Sequence, residues 1–308
     1  MVQANSINKL NKIIIICGPT ASGKTALSIE CAKLLNTEII SADSMCVYQG
    51  LNIGTAKPSV LEMQAVKHHL IDVVAPENTF TVGDYKQHAK PIIDNLLSQG
   101  KIPIICGGTG FYIDSILYNL SYGKGDANLI AREKYKKLAE EYGNDYVYSI
   151  LCNVDRISAN KIHKNDLKRV IRALEIYESG KKKSDIIDDY TPQYDYQAYY
   201  IDFDREELYN RINDRVNLMF DKGLISEVQQ LKNKGINKNH QCMQGIGYKE
   251  VFSYLCNEIT LNECIELVKL NTRHYAKRQL TYFKRLKNLT ALQNTNSLDL
   301  ARQIIGRL

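Results

Sequence analysis

The segment Lys12-Ile13-Ile14-Ile15-Ile16-Cys17-Gly18-Pro19-Thr20-Ala21-Ser22-Gly23-Lys24-Thr25 decides the fold of this chain. Gly18 to Thr25 satisfies G-x-x-x-x-G-K-[ST] completely. The apolar run before it predicts a short strand buried on both faces. The stretch after it, Lys24–Leu35, carries the spacing of an amphipathic helix. Strand, glycine-rich turn and helix in that order make an anion cradle. The glycines let successive N–H groups converge on one phosphate, and the helix N-terminus adds a favourable dipole. Gly18, Thr20, Ala21, Ser22, Gly23, Lys24 and Thr25 are therefore the candidate diphosphate ligands, with Lys24 as point charge and the Thr25 hydroxyl as an Mg²⁺ ligand. The motif leaves the phosphate compound open: a nucleoside triphosphate and an isoprenoid diphosphate would use the same cradle.

Around this loop, short apolar runs alternate with helical patterns. Strands are predicted at 12–17, 38–42, 70–74 and 101–106, and helices at 24–35, 82–98 and 111–120. That alternation predicts an α/β fold, a P-loop NTPase-like parallel sheet flanked by helices. After Leu120 the pattern becomes mainly helical, with helices at 129–142, 166–179, 205–222, 224–234, 248–256 and 261–286. Ser121–Asn128 is glycine-rich and polar, and 181–196 contains Pro192, so both read as breaks. A strand over Ala198–Ile201 returns the chain to the core. The expected organisation is a catalytic core of residues 1–120 and 196–308 interrupted by a helical insertion over 121–195.

The chain has 308 residues and a net charge of +6. Residues 1–118 hold nine lysines, no arginine and nine acids, so the whole excess belongs to the remainder. A neutral nucleotide-binding front joined to a basic remainder suits a partner such as RNA. No run approaches the roughly 18 apolar residues of a membrane span, and Met1–Lys12 lacks the apolar core of a secretion signal. Eight cysteines without a Cys-x-x-Cys pair indicate thiols in a reducing, cytoplasmic setting.

Four further features carry possible chemistry. Asp43 follows the second strand, where a carboxylate lies at the mouth of the site; it could serve an Mg²⁺ ion, act as a general base or cap a turn. Gly107-Gly108-Thr109 follows another strand and permits close backbone approach. Arg211 and Arg215 lie four apart on one helix face. Between Glu266 and Asp299 there is no acid, while Arg273, Lys277 and Lys284 fall near one helical face and Arg278 lies beside them. Tandem His68-His69 has no companion ligands at metal spacing, which favours a structural role.

The ordered set of motifs resembles the tRNA dimethylallyltransferase (tRNA isopentenyltransferase) family over roughly residues 12–288. After the phosphate loop come Asp43-Ser44-Met45, Val47-Tyr48, Gly54-Thr55-Ala56-Lys57-Pro58, His68-His69-Leu70-Ile71-Asp72 and Gly107-Gly108-Thr109-Gly110-Phe111-Tyr112. Arg169 to Glu175, Gly245 to Tyr248 and Ala276 to Thr281 continue the series. The resemblance implies transfer of a dimethylallyl group from dimethylallyl diphosphate to N6 of the adenosine beside the tRNA anticodon, with Mg²⁺. It implies Asp43 as general base, Arg215 and Lys24 on the diphosphate, and Thr109 lining the reaction channel. It places tRNA contacts, made by a monomer, at Asp43, Ser44, Met45 and Cys46, at Lys168, Arg169 and Arg172, at Gly245, Gly247, Tyr248 and Lys249, and at Arg273, Lys277, Arg278 and Lys284. Many members carry Gln where Cys46 stands, and a thiol cannot supply both amide hydrogen bonds. Eukaryotic members often end in a zinc-finger-like extension; its absence suggests the bacterial type. A small-molecule kinase, an adenylate isopentenyltransferase and a non-catalytic RNA adaptor share parts of this pattern. The later motifs disfavour the first, the basic helix the second, and intact Lys24, Thr25 and Asp43 the third.

Overall fold

The structure, a computed structural model, describes residues 11–64, 66–120 and 128–308. Most of the expected crossing segment at 121–128, and of the start at 1–12 read as lacking a secretion signal, lies outside the described residues. Along the chain come β1 (Lys12–Ile16), α1 (Lys24–Leu35), β2 (Ile39–Ser41), α2 (Val60–Met63), β3 (His68–His69), α3 (Val82–Ser98), β4 (Ile104–Cys106) and α4 (Gly110–Leu117). Next are α5 (Leu129–Tyr142), α6 (Asn144–Val154), α7 (Arg156–Ala159) and α8 (Leu167–Glu178). The chain continues with β5 (Asp195–Asp202), α9 (Arg205–Asp221), α10 (Leu224–Asn233), α11 (Tyr248–Leu255), α12 (Leu261–Phe283), β6 (Leu289–Gln293) and α13 (Ser297–Ile305).

Two compact units result, one of residues 1–117 and 192–308 and one of residues 118–191. The first holds a six-stranded sheet of order β3-β2-β4-β1-β5-β6, with every strand pair parallel. Central β1 is buried from Ile13 to Ile16, and each such isoleucine contributes about 1.5–3 kcal/mol of transfer free energy. Leu27, Ile29 and Cys31 of α1 pack with Leu300, Ala301 and Ile304 of α13 in the same core cluster. The alternation of elements thus places α/β as the class, as the spacing predicts.

The strand expected at 70–74 lies instead at His68–His69. Leu70 and Asp72 have φ of 62° and 55°, a left-handed conformation that ends an extended strand. Strands β4 and β2 are shorter than expected, and β5 is longer, starting at Asp195. Helix α3 matches its expected bounds because Thr81 and Asp84 form a capping box.

The second unit is helical among its described residues. Its core brings together Tyr135, Val147, Leu151, Val170, Ile171 and Leu174 from α5, α6 and α8. Buried Glu175 is held by Arg132 at 2.6 Å and by Arg172 at 2.9 Å.

Candidate active site

The phosphate loop takes its shape from three left-handed residues, Gly18 (φ 121°), Ala21 (φ 63°) and Gly23 (φ 83°), the last being the N-cap of α1. A Cβ on Gly18 would lie 3.2 Å from the Tyr200 side chain on β5. Internal bonds fix the rest. Ser22 Oγ and Lys24 Nζ both donate to the Pro19 carbonyl, at 2.8 and 2.5 Å. Arg211 Nε donates to the Ala21 carbonyl at 2.9 Å, with its guanidinium 4.8 Å from the Phe203 ring. The Thr20 N–H donates to Gln279 Oε1 at 2.9 Å, so it is not one of the free donors expected for the anion. The first-turn N–H groups of α1 have no intrahelical partner and are available as donors. Thr25 is exposed in that turn. Burial pushes the Lys24 ammonium below its usual range, Cys106 and Asp43 oppose that shift, and Arg215 adds to it.

Parallel pairing of β2 with β4 brings two loops together at the carboxyl edge of the sheet, beside the phosphate loop that follows β1. A Cβ on Gly107 would fall 2.1 Å from the Ala42 carbonyl oxygen, so only glycine lets these backbones meet. The Thr109 N–H donates to the Ala42 carbonyl at 3.0 Å, and Thr109 Oγ1 accepts from the Ser44 N–H at 3.0 Å. Asp43 Oδ1 accepts from the N–H groups of Met45 and Cys46, at 2.9 and 3.3 Å. Asp43 therefore does cap its turn, while its Oδ2 has no hydrogen-bond partner among the described residues. The alternatives read from spacing are compatible, because one oxygen is structural and the other is available. The Thr109 hydroxyl ties the two loops.

Arg215, on α9, is half-buried, and its buried Nε has no partner among the described residues. Burial pushes its guanidinium down, while Asp43, Cys46 and Glu62 hold it up. An orphaned buried donor in a half-buried cation, electrostatically coupled to Lys24 and Asp43, fits an anionic ligand on the loop. The two arginines differ: Arg211 braces the loop, while Arg215 Nε is bonded to nothing among the described residues. The residues also fit Mg²⁺. Thr25 offers one hydroxyl oxygen, and Mg²⁺ is ordinarily held by one or two protein oxygens together with substrate phosphates and water. No cluster of three metal-binding side chains occurs among the described residues. His68 Nδ1 contacts the Val66 carbonyl at 2.9 Å and His69 Nε2 contacts Glu38 at 2.6 Å, structural pairings at the sheet edge.

The side chain of Cys46 is buried, and burial with the Asp43 charge raises its thiol well above the usual range. A buried, protonated thiol is poorly placed to act as a nucleophile, and the Cys46 main chain is bonded to Asp43 Oδ1 and to the Asp72 N–H. All eight cysteines are free thiols.

The expected RNA contacts divide by exposure. Lys277, Arg278 and Lys284 are exposed, Lys284 being the C-cap of α12. Arg273 donates to Asn213 at 2.7 Å and so braces α12 against α9. It also lines an open cleft of about 550 Å³ with Asp204, Arg205, Tyr209 and Asn213, which includes no phosphate-loop residue. Tyr248 is buried, and its hydroxyl donates to Glu227 at 2.6 Å. Glu227 also accepts from the N–H groups of Asn52, Ile53 and Gly54. Gly245 lies against Met45, Gly247 is the left-handed N-cap of α11, and Lys249 is exposed with a 3.5 Å contact to Glu250. This segment therefore supports the Asp43 loop from behind, with Lys249 outward. In the helical unit Lys168 and Arg169 are exposed on α8, and Arg172 is half-buried on Glu175. Sequence reasoning missed Gln279, Tyr275 and Glu227, whose partners are distant in the chain.

The model of the family described as IPP transferase matches residues 46–286. A curated tRNA dimethylallyltransferase of Acetivibrio thermocellus is 45% identical over 303 residues, spanning 97% of this chain and 96% of the relative. Another, from Clostridioides difficile, is 49% identical and spans 89% of each. Among solved structures, the tRNA isopentenylpyrophosphate transferase of Bacillus halodurans aligns with a TM-score of 0.72 at 38% identity, covering 96% of both chains. A eukaryotic dimethylallyltransferase acting on tRNA aligns with a TM-score of 0.78 at 30% identity, covering 95% of this chain and 75% of that one.

Proposed function

This chain belongs to the IPP transferase family of tRNA dimethylallyltransferases, and from that premise we propose how its residues carry out the transfer. The reaction moves a dimethylallyl group from its diphosphate to N6 of the adenosine next to the tRNA anticodon and releases pyrophosphate. The allylic C–O bond breaks, the N6–C bond forms, and one N6 proton leaves.

Adenine N6 is a weak nucleophile because its lone pair is delocalised into the ring. Asp43 Oδ2 takes the proton as attack proceeds, a contribution of roughly 10²–10⁴-fold for a positioned base. Oδ1 stays bonded to Met45 and Cys46, which holds the carboxylate still. The departing diphosphate is met by the first-turn N–H groups of α1, by Lys24 and by Arg215. Each preorganised donor of this kind is commonly worth about 10²-fold or more. Thr25 is the residue that would hold Mg²⁺, which when bound neutralises charge on the diphosphate oxygens. The target base must leave its stack to reach Asp43, and a loop base is easier to extract than a paired one. Thr109 lines the passage between Asp43 and the phosphate loop. Exposed cations of α12 and α8 take the anticodon-arm phosphates. We infer that the protein acts as a monomer in the cytoplasm, where it meets tRNA. Among the described residues no helix is long and apolar enough to cross a membrane.

The observation that carries this reading is the orphaned, buried Nε of Arg215, which is electrostatically coupled to Asp43 and Lys24. The test offers labelled dimethylallyl diphosphate with tRNA, AMP or ATP, with and without EDTA. Label should enter tRNA alone and only while Mg²⁺ is present. Label in AMP or ATP, or transfer that ignores EDTA, would sink it.

A further inference from the structure

The side chain of Gln279 projects inward from α12 and is only 4% exposed. Its Oε1 accepts from the Thr20 N–H of the phosphate loop at 2.9 Å, and its Nε2 donates to the Gly108 carbonyl at 3.0 Å. One amide therefore joins the donor-side loop to the Gly107-Gly108-Thr109 turn, which is bonded to the Asp43 loop. The fit is close: a Cβ on Gly108 would lie 2.0 Å from Gln279 Nε2. Tyr275, one turn earlier on α12, directs its hydroxyl at the same Gly108 carbonyl at 3.4 Å. The adjacent residues Lys277 and Arg278 point outward to solvent.

We propose that Gln279 is a positioning residue for the transfer reaction, fixing the distance between the diphosphate cradle and the Asp43–Thr109 base site and tying both to the RNA-facing helix α12. It rests on the transferase reading above. Only a side chain with one acceptor and one donor at this reach satisfies both backbone groups. Without it the two loops keep their own internal bonds but lose their common brace, so nucleophile and leaving group are held less well in line. A misplacement of about 1 Å between reacting groups can cost about 10²-fold in rate.

Gln279→Met keeps volume and removes both bonds. Gln279→Glu keeps the acceptor for Thr20 but sets a carboxylate oxygen against the Gly108 carbonyl. On protonation a Glu regains the donor–acceptor pattern of Gln, and this gives a signature that a merely structural role lacks. The experiment measures single-turnover transfer, the KM for dimethylallyl diphosphate and tRNA affinity in the full chain, with thermal melting alongside. For Gln279→Met we expect at least a tenfold fall in the single-turnover rate, a raised donor KM, tRNA affinity within twofold and a cooperative melting curve at a somewhat lower temperature, since two backbone groups lose their partner. For Gln279→Glu, activity relative to the parent should recover as pH falls. A parent-like rate and KM for Gln279→Met, or a Gln279→Glu defect that does not change with pH, would overturn the proposal. Should Gln279→Met not fold, the pH series on Gln279→Glu decides alone. The parent protein serves as control for the reaction itself: if it moves no label into tRNA, the transferase reading has failed, not the role of Gln279.

Discussion

At the scale of single residues, Asp43 carries the most consequential assignment. Its position after a strand beside the phosphate loop was legible in the sequence, but base, metal and turn-capping roles could not be told apart there. The structure divides the carboxylate: Oδ1 holds the turn and Oδ2 has no hydrogen-bond partner among the described residues. Asp43→Asn keeps an acceptor for Met45 and Cys46 while losing basicity. Its turnover should fall about 10²-fold or more, the usual cost of a lost general base, with donor and tRNA binding nearly unchanged. Rate rescue by added Mg²⁺ in a single-turnover titration would instead reveal a metal role. Lys24→Ala should abolish transfer at any donor concentration, because the departing diphosphate loses the point charge that the loop itself supplies; near-normal turnover would remove the loop from the donor site. Cys46 shows what residue identity alone does not disclose. A thiol at a position commonly held by Gln suggests a changed contact, yet its burial means that the side chain touches protein instead.

Elements are legible where local chemistry sets their ends, and less so where distant partners do. Gly23, the Thr81–Asp84 capping box and the Thr260–Glu263 capping box start α1, α3 and α12 where the pattern places them. β6 escaped notice because Leu289-Thr290-Ala291-Leu292-Gln293 is short and mixed, and becomes a strand through pairing with β5. α13 was likewise missed; Leu300, Ala301 and Ile304 make sense only against α1. The bonds from Gln279 to Thr20 and from Glu227 to Asn52 span 259 and 175 residues, beyond any periodicity. In the helical unit, Asp155 caps α7 through Ser158 N–H and Oγ and also accepts from the Ser184 N–H. Burial by itself would raise this carboxyl, but these hydrogen bonds outweigh it and hold it at about 2, below its ordinary 3.8. A depressed folded value means stability that is fully present above about 3.8 and is lost as pH falls through about 2. Asp155→Asn keeps one acceptor but loses the charge that these donors bond to, so it should lower stability near neutral pH by roughly 1–2 kcal/mol, the scale of weakened charge-assisted hydrogen bonds. The gap between variant and parent should close between about pH 4 and pH 2. Melting curves of both proteins across that range provide the check, and a gap that stays constant would remove Asp155 as a titrating cap.

For the whole molecule, the charge division seen along the chain becomes a division of surfaces. The first 118 residues carry no net charge and build the phosphate loop, the Asp43 loop and the Gly107–Thr109 turn, while the +6 excess belongs to residues 119–308. Not all of those cations are available to RNA. Arg273 is bonded to Asn213, Arg285 to Asp114, and Arg132 and Arg172 to buried Glu175. Lys277, Arg278, Lys284 and Lys287 remain exposed at the acid-free end of α12 and just beyond it. If these meet phosphates, binding is driven by counterion release, and the slope of log affinity against log salt changes by about 0.7–0.9 per contact. The double variant Lys277→Glu, Arg278→Glu should therefore bind tRNA more weakly at low salt and with a slope shallower by roughly 1.4–1.8. The KM for dimethylallyl diphosphate at saturating tRNA should stay within about twofold, since neither side chain reaches the diphosphate cradle and uniform binding losses leave the chemical step intact. The measurement is tRNA affinity at a series of salt concentrations for parent and variant. An unchanged slope would make this face of α12 a solvated surface and move the phosphate contacts elsewhere. A collapse of turnover at saturating tRNA, with affinity preserved, would mean that the substitutions act inward through Gln279 on the loops it joins.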